Sequence, residues 1–271
     1  MYPILFNVFD RQIGTYGLFM VVGAVAAWVV VRLLLGRKDN DVPLIFLICI
    51  CGGLIGVFLL RPIMRIPEFI RIWDILRQLP FEMLVMYIFS EAVFYGGLIG
   101  GAIAMVLYCR GFKIPMLPVA DLFAPALAVA HGFGRVGCFF GGCCYGVAVQ
   151  ATHPLAVVFP PSAIGAPPGV PLFPVQLIEA ACLFVLAGVL AVVYKKTAGT
   201  GFVVCLYGLV YSVLRFVLEF YRGDVGRGVY GLFSTSQYIS MGLFVVSAVL
   251  MCFIVRKRKA FVIEQGDGSS V

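Results

Sequence analysis

Long, uniformly apolar runs constrain this chain more than any other feature. Windows of the length needed to cross a bilayer, roughly 20 residues each, run from Tyr16 to Leu35, Pro43 to Leu60, Ala92 to Tyr108, Val119 to Gly137, Val175 to Tyr194, Gly201 to Phe220 and Gln237 to Val255. Hydrocarbon offers no hydrogen-bond partners, so the backbone in such runs must satisfy itself. They are too long and too evenly apolar for barrel strands, so they read as helices. Composition agrees: with 62% of 271 residues hydrophobic and 12% charged, there is too little polar surface to cover a water-soluble globule. The expected fold is an all-α membrane protein with about seven transmembrane helices, a single polytopic domain over residues 1–260 and a short, polar, disordered tail over 261–271. The first window follows Asp10 and Arg11 and lacks a small-residue cleavage site, which favours a retained helix over a removed signal peptide.

The formal net charge of +7 could suggest nucleic acid as a partner, but the basic residues sit at window ends. Arg32, Arg37 and Lys38 follow the first window, Arg110 and Lys113 the third, Lys195 and Lys196 the fifth, and Arg256, Lys257, Arg258 and Lys259 the last. Every second connection is therefore basic. By the positive-inside rule those ends are cytoplasmic, which puts the N-terminus outside and the C-terminus inside, with no nucleic-acid partner expected. The outer connection 61–81 mixes Arg61, Arg65, Arg71 and Arg77 with Ile66, Phe69, Ile70, Ile72, Trp73 and Leu76, the pattern of an interfacial amphipathic segment. Its arginines either gather anionic headgroups or simply anchor it. The other long outer segment, 147–174, is rich in proline and carries no charge, and reads as an irregular, membrane-hugging loop.

Ionisable groups at membrane depth cost several kcal/mol unless they face a polar interior, so they mark candidate sites. Arg215 lies inside the sixth window, and Tyr211, Glu219 and Arg222 share its helical face at four- and seven-residue offsets. Arg215 and Glu219 could merely neutralise one another. Two arginines against one glutamate, however, leave a cation that favours a bound anion. Arg135 is the second intramembrane arginine, in the glycine-rich stretch His131-Gly-Phe-Gly-Arg135-Val-Gly-Cys138-Phe-Phe-Gly-Gly-Cys143-Cys144-Tyr145-Gly146. Its planar guanidinium suits bidentate contact with a phosphate; tight helix packing with Arg135 snorkelling outward is the competing reading.

Of nine cysteines, Cys49, Cys51, Cys109, Cys182, Cys205 and Cys252 fall in or at the ends of windows, where Cys behaves as a small apolar residue. Cys138, Cys143 and Cys144 with His131 have to be weighed as a metal site. No Cys-x-x-Cys pair is present and His131 to Cys138 spans nearly two helical turns, so no metal is expected. A disulfide involving Cys143 or Cys144 is the other alternative. Glycines spaced by four, Gly96 with Gly100, Gly97 with Gly101 and Gly52 with Gly56, signal close helix packing.

Five motifs in order, Tyr16-Gly17-Leu18, Gly96 to Gly101, Gly134-Arg135-Val136-Gly137 followed by Gly146, Pro174-x-Gln176-Leu177-x-Glu179, and Leu214-Arg215-Phe216 leading to Glu219-Phe220-x-Arg222, resemble those of the bacterial prolipoprotein diacylglyceryl transferases. The resemblance implies a multi-pass enzyme of the bacterial inner membrane that moves the diacylglyceryl group of phosphatidylglycerol onto a cysteine thiol in a lipoprotein precursor's signal peptide. Glycerol phosphate would be released at the outer leaflet, without a cofactor. It further implies that Arg135 and Arg215 bind the headgroup and stabilise the leaving phosphate, and that Tyr16, Cys138, Gly146, Tyr211, Glu219 and Arg222 line or orient the substrate.

Four positions depart from the family pattern: Tyr95 stands where histidine is usual, Cys138 and Gly141 where asparagine is, and Cys143 where glutamate is. The usual candidate base is therefore absent. Tyr95 could relay a proton as a phenol, although a reference pKa of about 10 makes it a poor base without a nearby cation; Glu219 or a bound water is an alternative. Two other functions are compatible with intramembrane arginines: an anion or lipid transporter, and a lipid-binding relative without transferase activity. No internal duplication of the kind common in transporters is visible.

Overall fold

Among the described residues, helices account for every apolar window. The computed structural model describes residues 4–8, 11–36, 41–64, 66–89, 94–224 and 228–267. In chain order these form an antiparallel hairpin of β1 (Ile4–Val8) and β2 (Arg11–Gly14), then helices α1 (Thr15–Leu35), α2 (Asp41–Met64), α3 (Ile66–Arg71), α4 (Trp73–Leu76), α5 (Phe81–Phe89), α6 (Phe94–Gly111) and α7 (Met116–Gly141). A long loop carries the two-residue strands β3 (Val157–Val158) and β4 (Pro171–Leu172). It leads to α8 (Val175–Thr197), α9 (Phe202–Leu218), a 3-10 turn at Glu219–Tyr221, the hairpin β5 (Val229–Tyr230) and β6 (Phe233–Ser234), and α10 (Thr235–Asp267). Among the described residues, six helices are long and apolar enough to cross a membrane, and the apolar part of α6, Gly96–Gly111, is shorter.

Two segments differ from expectation. The second helix runs on through Pro62 to Met64 rather than ending at Leu60. The amphipathic stretch that follows consists of α3 and α4 joined by a turn, with α5 starting at Phe81. Past Lys259, where a disordered tail was expected, α10 continues as helix to Asp267. The run Val255-Arg-Lys-Arg-Lys-Ala-Phe-Val-Ile-Glu contains no glycine or proline, so nothing local stops the helix before Gly266.

The chain divides into two compact units, residues 37–116 and residues 1–36 with 117–271. In the first, α2 and α6 meet along the spaced glycines. A Cβ at Gly56 would run into the carbonyl of Gly96, one at Gly96 into that of Gly56, and one at Gly100 into that of Gly52. Only hydrogen at those positions lets the backbones touch, which is how helices associate where lipid removes the hydrophobic drive. Ile70 and Trp73 are 72% and 55% exposed, an arrangement suited to an acyl interface rather than water.

The second unit has inverted polarity. Val185 and Val192 are 69% and 60% exposed on α8, whereas Glu179 on the same helix is 2% exposed, Asp121 on α7 is fully buried and Arg215 on α9 is 3% exposed. Apolar side chains out and ionisable side chains in is the pattern of a bundle solvated by hydrocarbon around a polar interior. Its apolar core joins Ala124 and Ala128 of α7, Leu183, Leu186 and Leu190 of α8, and Val203, Tyr207 and Tyr211 of α9. Asp121 caps α9: its carboxylate accepts the N–H groups of Gly201 at 2.8 Å and Val204 at 3.0 Å. It thereby satisfies donors that a helix N-terminus leaves without partners in lipid. The proline-rich loop is irregular apart from β3 and β4, and it builds a small cluster of its own, in which Phe159, Ala166 and Leu172 pack on Phe139 of α7.

Candidate active site

The polar interior is organised by the end of α7. Here Cys143 N–H donates to Cys138 O at 3.1 Å and Gly142 N–H to Phe139 O at 3.2 Å, with Gly142 at φ +73°. That pair of bonds around a left-handed residue is a Schellman turn, which reverses the chain over the last helical turn. Cys144, at φ +54°, continues the reversal. The following residues pair in antiparallel fashion with the segment after α9. Gly146 faces Arg222, Val147 N–H donates to Tyr221 O at 2.9 Å, and Gly223 N–H to Tyr145 O at 3.0 Å. Gly146 itself lies where a Cβ would collide with the carbonyls of Phe173 and Tyr221, so three backbone segments meet there because it has no side chain. From the start of α8, Gln176 Nε2 donates to Cys143 O at 2.9 Å and pins the turn.

A chain of buried polar contacts runs inward from this turn. Arg135 Nε lies 3.1 Å from Glu179 Oε1 in a buried ion pair. The same oxygen accepts Tyr211 O–H at 3.4 Å and lies 3.9 Å from His131 Nε2. His131 Nδ1 shares a hydrogen bond of 3.3 Å with Tyr207 O–H, and its ring meets Tyr211 edge-on at 4.8 Å. One turn beyond Tyr211, Arg215 Nη2 lies 2.7 Å from Glu219 Oε2 and donates to Ser236 Oγ at 3.0 Å. The Nε and Nη1 donors of Arg215 are buried without hydrogen-bond partners. Arg135 and Arg215 are linked through Glu179 and Tyr211, which lies one turn before Arg215 on α9. Arg222 forms a bidentate pair with Asp224, at 2.8 Å from Nε and 2.5 Å from Nη2, and its Nη1 lies 3.9 Å from Glu219 Oε2.

Arg135, Tyr211, Arg215, Glu219 and Arg222 are thus brought together with Cys138 and Gly146. Tyr16 enters from α1 against Gly137. The side chain of Tyr95 lies outside the described residues. The expected surplus of cation is corrected. Three arginines, at 135, 215 and 222, meet three carboxylates, Glu179, Glu219 and Asp224, because Glu179 reaches across from α8 and Asp224 folds back beside Arg222. What invites an anion is therefore unused hydrogen-bonding capacity on Arg215 rather than unbalanced charge. His131 and Gln176 join the network without having been expected in the site, although both sit in or beside apolar runs where a polar side chain calls for an explanation.

The three cysteines at the end of α7 come together in space. The Schellman turn folds Cys143 and Cys144 back toward Cys138, and the three sulfurs lie within 4.8 Å of one another. Among the described residues all nine cysteines are free thiols, so neither Cys143 nor Cys144 forms a disulfide.

A family model described as prolipoprotein diacylglyceryl transferase matches residues 3–253. The chain belongs to the prolipoprotein diacylglyceryl transferase family. Similar proteins include the phosphatidylglycerol–prolipoprotein diacylglyceryl transferase of Clostridium tetani, 36% identical over 89% of this chain and 93% of the relative. The phosphatidylglycerol–prolipoprotein diacylglyceryl transferase 2 of Clostridium perfringens is 32% identical over 94% of this chain and 96% of the relative. The Geobacter sulfurreducens enzyme of the same name as the first is 30% identical over 95% and 96%. The matched region includes the whole buried chain of contacts from Arg135 to Arg215.

Proposed function

We infer that the protein is a phosphatidylglycerol:prolipoprotein diacylglyceryl transferase, with Arg135 and Arg215 binding the lipid phosphate. The observation that carries the assignment of the site is Arg215. Buried donors left without partners cost about 1–3 kcal/mol each, and Arg215 keeps two of them, Nε and Nη1, beside a network whose other charges are paired. A phosphate oxygen supplies the acceptors, and the cation stabilises charge on the departing group.

The reaction forms a C–S bond and breaks a C–O bond. The thiol sulfur of the precursor cysteine attacks the diacylglyceryl carbon bonded to phosphate oxygen. The C–O bond electrons leave with glycerol phosphate, and the thiol proton is passed to a base or water. Glu179 and Glu219 hold Arg135 and Arg215 in place at 3.1 and 2.7 Å, Tyr211 and Tyr16 flank them, and Arg222 with Gly146 closes the turn over the site. Tyr95, where the family usually has histidine, is one candidate to relay the thiol proton, and Glu219 or a bound water is the alternative.

The proposed topology has seven crossings in one polytopic domain, with the N-terminus outside, segments 61–81 and 147–174 at the outer face and the tail inside. Arg110 and Lys113 precede α7 on the cytoplasmic side, so the far end of α7, which carries Arg135 and the turn after it, faces outward. The enzyme then works at the outer leaflet of the bacterial inner membrane on precursor signal peptides.

The test uses purified protein with phosphatidylglycerol and a lipobox peptide. The peptide cysteine is expected to gain a diacylglyceryl mass with one glycerol phosphate released per thioether, and a serine-substituted peptide is expected to release none. Anion flux into proteoliposomes with no covalent product would overturn the assignment.

A further inference from the structure

We propose that Cys138, Cys143 and Cys144 form a binding site for one thiophilic divalent cation at the C-terminal end of α7. The three sulfurs already lie within 4.8 Å of one another. Zinc–thiolate bonds of about 2.3 Å place ligand sulfurs roughly 3.8–4.0 Å apart in tetrahedral or trigonal coordination.

The backbone that presents the thiols is fixed from several directions. Cys143 N–H is bonded to Cys138 O at 3.1 Å, Cys143 O accepts from Gln176 at 2.9 Å, and Tyr145 O accepts from Gly223 at 3.0 Å. Cys144 is held at φ +54°, a backbone conformation that side-chain-bearing residues seldom adopt. Strain of that kind persists where the surroundings over-determine it, and it gathers at functional sites. A ligand set held this way is organised before the ion arrives.

Loading the site changes its local charge. A divalent ion that displaces one proton from each thiol yields a tris-thiolate complex of net charge −1 and releases three protons. Arg135 stands one helical turn before Cys138 on α7, and Gly146, two residues past Cys144, pairs with Arg222, so the complex forms near two guanidiniums whose charge is shared with Glu179 and Asp224. Cys138 is buried, while Cys143 and Cys144 are half-buried. Three protein ligands leave a fourth position open, as in reactive rather than purely structural zinc sites.

The experiment titrates the full-length protein with Zn2+ in detergent and a phosphine reductant, with no phospholipid or peptide present, so its outcome is independent of the transferase assay. One equivalent of Zn2+ is expected to bind. Alkylation followed by mass spectrometry should then show Cys138, Cys143 and Cys144 protected and the other six cysteines unchanged. Cys143→Ser and Cys144→Ser are each expected to weaken binding about tenfold or more, with Cys182→Ser as the unaffected control. The footprint on the unaltered protein decides the matter if either variant fails to fold. Absence of binding, protection elsewhere, binding that survives both substitutions, or a disulfide among the three that resists the reductant would each overturn the proposal.

Discussion

Arg135 on α7 and Glu179 on α8 form an ion pair of 3.1 Å in which the carboxylate is 2% exposed, and the same carboxylate oxygen accepts the hydroxyl of Tyr211 on α9. One oxygen therefore ties three helices together at the arginine proposed to meet the lipid phosphate. Breaking a buried pair from one side strands the other charge in a low-dielectric interior, at a cost of about 3–5 kcal/mol.

Glu179→Ala is accordingly expected to lower thermal stability in detergent and to abolish measurable turnover, because Arg135 loses both its counter-charge and its orientation. Glu179→Gln keeps a hydrogen-bond acceptor and should retain more stability than the alanine variant. Melting curves of the two variants beside wild type check the order; equal stability for all three would contradict the role given to the pair.

Asp121 has a different job. Its carboxylate accepts two N–H groups at the start of α9, far along α7 from Arg135. Asp121→Ala removes a helix cap and is expected to cost about 1–2 kcal/mol. The loss should appear in the melting temperature while the KM for phosphatidylglycerol stays close to wild type. A raised KM without a change in melting would place Asp121 in the binding site instead.

The glycine contacts allow a paired test. Gly56→Val puts a branched side chain where a Cβ already meets the carbonyl of Gly96, whereas a Cβ at Gly188 on α8 would meet no atom within 4 Å. The first substitution is expected to force α2 and α6 apart and reduce the yield of folded protein. Gly188→Ala should be neutral or stabilising by about 0.5–1 kcal/mol. Size-exclusion profiles and melting temperatures distinguish them.

Gly146→Ala adds a Cβ between the carbonyls of Phe173 and Tyr221. It is expected to loosen the pairing that holds Arg222 beside the end of α7 and to cut turnover by about tenfold or more. Full activity in this variant would mean that the pairing of 145–147 with 221–223 is dispensable.

Features were legible in the sequence where their signal was local. The helices stand out because each is a long, uniform run, and the packing of α2 on α6 shows in the spacing of Gly52 and Gly56. Arg135 and Arg215 stand out because a charge inside an apolar run has to be explained. Glu179 passes the same test but sits just inside α8 after a proline-rich loop, so it reads as part of a motif rather than as the partner of an arginine 44 positions earlier. Asp224 lies beyond the 3-10 turn, where helical periodicity no longer says which residues meet. The cysteine cluster is hidden because spacing from His131 and Cys138 has meaning only along a helix. Gly142 ends that helix and turns the chain back, and spacing carries no information across a reversal.

Arg215 bears most of the functional weight, since its Nε and Nη1 are buried donors awaiting an acceptor. The decisive measurement is steady-state release of glycerol phosphate from phosphatidylglycerol by Arg215→Ala and Arg215→Lys, each checked for folding by its melting curve. Loss of an electrostatic contact to a leaving phosphate is expected to lower kcat by on the order of 10²-fold or more for alanine, with lysine recovering only part because it keeps the charge and loses the fork. Folded Arg215→Ala turning over at the wild-type rate would contradict a phosphate-binding role for this arginine.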